Sequence, residues 1–175
     1  MLTSAQFEAI GRLTLVFNEI ELLFESYMAA VLTPTELRLG STVGQEGTCN
    51  QKGERFKRIL AGVCEEYPQL DALVNPMREK IQRARELSED RNEYVHAIVV
   101  HDFSKNETGL RKRGKQPKQL SCDEKVINNL AKQMRMVVDE INALGNDLLM
   151  ALEVARQCPR WPSGKYNPEA PSPEG

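Results

Sequence analysis

Histidine is nearly absent from this chain: its 175 residues hold two, His96 and His101. Cysteine is sparse and scattered, at Cys49, Cys64, Cys122 and Cys158, with no C-x-x-C pair. These two shortages leave no zinc-ligand spacing and predict no metal site. Excess positive charge is missing too. With a formal net charge of −2 there is no bulk attraction to nucleic acid, so any such contact has to come from a local patch. No apolar run approaches the ~20 residues that a membrane-spanning helix needs. Met1 to Ile10 lacks the basic start of a signal peptide and carries Glu8. Gly40, Gly44, Gly47 and Gly53 are not followed by Gly-Lys-Ser/Thr, which excludes a phosphate loop. No internal repeat is found. These absences predict a soluble cytoplasmic protein with reduced thiols, no membrane association and no cofactor.

What is present is a series of amphipathic stretches on a chain of single-domain length, 41% of it hydrophobic. Ile10, Leu13, Phe17, Ile20, Phe24, Tyr27 and Val31 alternate threes and fours and predict a first helix over Ser4 to Leu32. Pro34 ends it, because the residue before a proline is pushed away from helical geometry. Leu39 to Gly53 predicts a mobile connector, and Glu54 to Glu66 a second helix burying Phe56, Ile59, Leu60 and Val63. Asn75 as cap and Pro76 at the first position predict the start of a third helix. Its seam of Ile81, Ala84, Ser88, Arg91, Val95 and Ile98 carries two polar residues, which points to a partner or a site.

Ala97 to Gln119 loses the helical period; Ile98 to Phe103 is rich in β-branched residues and turn formers follow. Ser121 with Glu124 predicts a capping box for the last helix, whose seam runs from Ile127 to Ala155. Gly145 breaks that seam, at about 1 kcal/mol relative to alanine, and a close helix crossing would account for it. The sum is an all-α fold over residues 1–157: an antiparallel four-helix, up-and-down bundle. A short irregular or β-hairpin insert separates the third and fourth helices, and a proline-rich tail covers residues 158–175.

The chemistry gathers in Arg91-Asn92-Glu93-Tyr94-Val95-His96, near the end of the third helix. Histidine exchanges protons near neutrality. Arginine keeps its charge and fits phosphate oxygens with a fork of donors. Asparagine offers an uncharged donor and acceptor. These three suffice to cleave a phosphodiester without a metal. On a helix Asn92 and His96 share a face, while Arg91 lies about 100° to 140° around from them. One copy does not close a pocket; two copies about a two-fold axis do, which predicts a homodimer. The plainer alternative is surface ion pairing of Arg91 and His96 with Glu89, Glu93 or a neighbouring helix.

In a small helical bundle, this Arg91-Asn92-x-x-x-His96 pattern resembles the R-x(4–6)-H signature of the HEPN superfamily, in its four-residue spacing. The resemblance implies a metal-independent endoribonuclease of the kind found among toxins, antiviral effectors and RNA-processing factors. Its site would lie in a cleft between two protomers. His96 would be the general acid and base, and Arg91 would bind and neutralise the scissile phosphate. Asn92 would orient His96 or touch the phosphate. The RNA 2′-hydroxyl would attack phosphorus, leaving a 2′,3′-cyclic phosphate and a 5′-hydroxyl. The implied partners are RNA, a second copy of the chain and a protein antitoxin or regulator. Some toxin members carry a modifiable tyrosine two residues after the histidine; here Ile98 stands there. Other members are inactive, so the alternative is a catalytically inactive dimeric binding module.

Arg111, Lys112, Arg113, Lys115 and Lys118 form a basic cluster without an acid among them. They read either as a clamp on the RNA backbone or as a solvated loop. His101 reads as a loop histidine without a role. Asn18 and Glu21 interrupt the first helix and either line the cleft or face solvent.

Overall fold

The computed structural model describes residues 2–33, 42, 44–102, 107–111, 119–121 and 123–157. Four long α-helices dominate these residues: α1 (Ser4–Leu32), α2 (Cys49–Glu66), α3 (Asp71–Val95) and α4 (Glu124–Gln157). The fold is an all-α bundle. Each helix lays its apolar stripe inward, and Phe17, Phe24, Met134 and Ile141 are all buried, as the three-four spacing requires.

Three helix starts differ from expectation, each for a local reason. α2 begins at Cys49 rather than Glu54, because Thr48 and Gln51 form a reciprocal capping box. Gly47, with φ 97°, makes the left-handed turn just before it. α3 begins at Asp71, directly after a 3-10 turn over Pro68–Leu70. Pro76 therefore lies inside the helix rather than at its first position, and its ring nitrogen leaves one backbone hydrogen bond of the helix unmade. At α4 the cap is Asp123, whose carboxylate accepts the Lys125 N–H at 2.9 Å. Ser121 Oγ instead accepts from the Asp123 N–H, so the expected pairing of Ser121 with Glu124 is not the start of the helix.

Three short strands lie between α3 and α4: β1 (Ile98–Asp102), β2 (Glu107–Arg111) and β3 (Gln119–Leu120). They pair antiparallel in the order β1-β2-β3, with Ile98 opposite Arg111 and Leu110 opposite Leu120. Residues 112–118, residues 39–41 and 43 of the Leu39–Gly53 connector, and the tail over 158–175 lie outside the described residues.

The chain divides into two compact units. The first comprises residues 1–21 and 83–138. It holds the first part of α1, the second part of α3, the strands and the start of α4. Its core includes Leu13, Phe17, Leu87, Leu110, Ile127 and Met134. Glu19 and Arg135 form a bidentate ion pair between α1 and α4.

The second unit comprises residues 22–82 and 139–175. Phe24 packs edge-on against Phe56, and Lys52, nearly fully buried, pairs with Glu25. Tyr27 reaches α4, its hydroxyl 2.6 Å from Asn142 Oδ1 and 2.9 Å from the Asn142 carbonyl. Burial raises the pKa of Tyr27. Helix directions follow from such contacts. Glu25 meets Lys52, and further along both helices Val31 and Leu32 face Ile59 and Val63, so α1 and α2 run the same way. Tyr27 meets Asn142, and the Val31 carbonyl accepts from Arg156, so α4 runs with α1. Lys57 bonds Gln82, and the Cys64 thiol donates to Asp71, so α3 opposes α2. The up-and-down alternation expected from the start of the chain therefore holds from α2 onward but not between α1 and α2. A short connection reverses the chain, as the 3-10 turn does between α2 and α3.

Candidate functional site

The hexapeptide closes α3. The helix ends at Val95, and after His96 and Ala97 the β-branched Ile98 and Val99 open β1. His96 follows the last helical residue and is exposed, its backbone N–H still donating to the Asn92 carbonyl at 3.1 Å. It thus keeps the one-turn relation to Asn92 that the spacing implies. Ala97 N–H donates to the Tyr94 carbonyl at 3.3 Å, a tighter closing turn typical of a helix end.

Arg91 sits one residue before Asn92, on the half-buried side of the helix. Its Nη1 donates to Asn92 Oδ1 at 3.0 Å. Its guanidinium lies over the ring of Phe17, with Cζ 4.0 Å from the centroid. Asn92 Oδ1 is therefore engaged with Arg91, a contact that differs from both roles expected of the asparagine, orienting His96 or touching the phosphate. The other polar residue of this seam, Ser88, is buried and donates its hydroxyl to the Ala84 carbonyl at 2.6 Å.

Sequence reasoning assigned Phe17 to the core alone, and its contact with Arg91 went unforeseen. No local signal marks it, since the two residues meet only once α1 and α3 pack.

Of the basic cluster, Arg111 is exposed at the end of β2. Its partner across the sheet is Ile98, two residues after His96, so strand pairing brings the start of the cluster alongside the motif. Lys112, Arg113, Lys115 and Lys118 lie outside the described residues. His101 pairs with Thr108 in β1, and Asn18 is exposed on α1.

Among the described residues no group of three His, Cys, Asp or Glu could hold a metal ion. Cys49 and Cys64 are free thiols. Burial, followed by the hydrogen bond to Asp71 and that residue's charge, pushes the Cys64 thiol up to about 11, against an opposing pull from Arg78. A cavity of about 500 Å³ in the second unit is lined by Val31, Ile59, Val63, Leu152, Arg58 and Arg156 among others, and by no motif residue. No helix among the described residues is long and apolar enough to cross a membrane. No protein-family model matches this chain, and no curated protein or solved structure is detectably similar to it.

Proposed function

We propose that the protein is a HEPN-like, metal-independent endoribonuclease acting as a toxin or antiviral effector in the cytoplasm. The observation that carries the reading is the arrangement of Arg91, Asn92 and His96 at the end of α3. Arg91 and Asn92 are joined by a hydrogen bond, and His96 is exposed one turn on. Chemically this supplies a held cation and, one turn on in the same helix, an accessible proton carrier, which a second copy of the chain would bring to one phosphodiester. Arg91 neutralises a phosphodiester and the charge that builds on its oxygens in the transition state. His96 accepts the 2′-hydroxyl proton and returns a proton to the departing 5′-oxygen. Bonding then runs from the 2′-oxygen to phosphorus as the bond to the 5′-oxygen breaks, giving a cyclic phosphate and a 5′-hydroxyl. Arg111 and the basic residues that follow it supply the clamp on the RNA backbone.

The working unit on this reading is a homodimer, with a protein antitoxin or regulator as a further partner. An uncovered apolar face supports the second copy. Phe7 and Leu15 are 61% and 65% exposed on α1, and midway between them a Cβ at Gly11 would meet nothing within 4 Å. Phe7 and Leu15 are equally spaced about Gly11. An antiparallel pairing of two such helices through Gly11 would set each Phe7 against the Leu15 of the other copy, as a two-fold interface requires.

The test is incubation of labelled single-stranded RNA with the protein in excess chelator. Cutting is expected to persist and to leave cyclic phosphate ends. His96→Ala and Arg91→Ala are each expected to lower the rate by about a hundredfold or more, and DNA, which lacks the attacking hydroxyl, is expected to survive. Loss of wild-type cutting in chelator would sink the metal-free mechanism. A folded dimer that cuts RNA under no condition would favour the inactive binding module.

A further inference from the structure

Phe17 is buried on the inward stripe of α1, and packing alone would explain an aromatic residue there. Its ring also faces Arg91, with Cζ 4.0 Å from the centroid, well inside the ~6 Å range of a cation–π contact. Two of the contacts on Arg91 are different in kind. The ring takes one face of the planar guanidinium and sets its plane. Asn92 Oδ1 takes Nη1 at 3.0 Å and sets its rotation within that plane. A long arginine side chain otherwise samples many rotamers, and each must be given up when an anion binds.

We infer that Phe17 is a positioning residue for Arg91, its ring holding the guanidinium in the plane from which it meets a phosphodiester. This rests on the nuclease reading for its phosphodiester, and the contact itself is independent of that reading. Phe17 touches no substrate. It acts through Arg91, lowering the ordering cost of binding without joining the proton transfers.

The experiment compares the full-length wild type with Phe17→Leu, which keeps an apolar side chain and removes the ring, and Phe17→Tyr, which keeps the ring. The binding probe is a 2′-O-methyl oligoribonucleotide, which offers phosphodiesters that cannot be cut. Phe17→Leu is expected to weaken its affinity about three- to tenfold, and Phe17→Tyr to restore it. With cleavable RNA the change is expected mainly in KM, with kcat altered less. In the Arg91→Ala background, Phe17→Leu is expected to have no further effect on affinity. Side-chain NMR of Arg91 supplies a readout free of RNA: ring-current-shifted resonances in the wild type, lost in Phe17→Leu. Should Phe17→Leu not fold, Phe17→Met takes its place, and unshifted Arg91 resonances in the wild type would by themselves overturn the inference. So would equal affinities for wild type and Phe17→Leu, or failure of Phe17→Tyr to restore binding. Binding that follows the ring without any cutting removes the nuclease reading and leaves the positioning role standing. A wild type that does not bind the oligonucleotide ends both.

Discussion

At the scale of single residues, environment separates groups that composition treats alike. Cys49 and Cys64 are both free thiols, but the acidity of Cys64 is set by its neighbours. With its pKa pushed from 9.0 to about 11, it carries about a hundredfold less thiolate at pH 8 than an ordinary thiol, and the thiolate is the nucleophile. Iodoacetamide is therefore expected to label Cys64 far more slowly in the folded protein than after denaturation, as peptide mass spectrometry would show. The sign of the linked stability follows. The fold favours the protonated thiol, so this contribution is complete below pH 9 and is lost as pH rises through about 11. Cys64→Ala is expected to flatten the alkaline loss of stability in urea titrations, and an unchanged alkaline limb would contradict the assignment. The motif residues were legible at this scale because their chemistry is carried by type and spacing. Phe17 was not legible, because a core aromatic and an aromatic under a guanidinium share one helical period.

At the scale of elements, one substitution takes opposite signs in two helices. A Cβ at Gly145 in α4 would lie 2.3 Å from Cζ of Tyr27, a ring that is buried and tethered through its hydroxyl to Asn142. Gly145→Ala is expected to destabilise by about 1–3 kcal/mol through overpacking, outweighing the gain in helix propensity. At Gly62 in α2 a Cβ would meet nothing within 4 Å. There the alanine is expected to stabilise by about 0.5–1 kcal/mol. Thermal or urea unfolding of the two variants checks the pair, and a stabilised Gly145→Ala would refute the packing of Tyr27 on α4. The sequence marked Gly145 as a crossing without showing what crosses. Helix starts were the least legible feature, because competing caps lie close together. Thr48 with Gln51, and Asp123, won their local competitions by hydrogen-bond geometry.

At the scale of the whole molecule, Phe7 and Leu15 stand exposed on α1, and the proposed homodimer would cover them. Sedimentation at tens of micromolar, the order of magnitude suited to a modest interface, is expected to show a dimer. Phe7→Glu and Leu15→Glu are each expected to weaken dimerisation at least about tenfold while leaving the fold intact, since both side chains are largely exposed. A wild type that stays monomeric there would remove the two-chain cleft. A dimer indifferent to both substitutions would move the interface to another face.

Helix type, the buried face of each helix and the position of the Arg91–His96 motif were determined by the sequence itself. Each is a property of a few consecutive turns, and the period of the apolar residues states it directly. The common direction of α1 and α2, the seat of Tyr27 on Gly145, the buried Lys52–Glu25 pair and the stacking of Arg91 on Phe17 were decided only by the tertiary structure. Each joins residues from separate helices. Helical period places a side chain on a face, but which face it meets, and in which direction the neighbour runs, depends on how connections of different length allow the helices to pack.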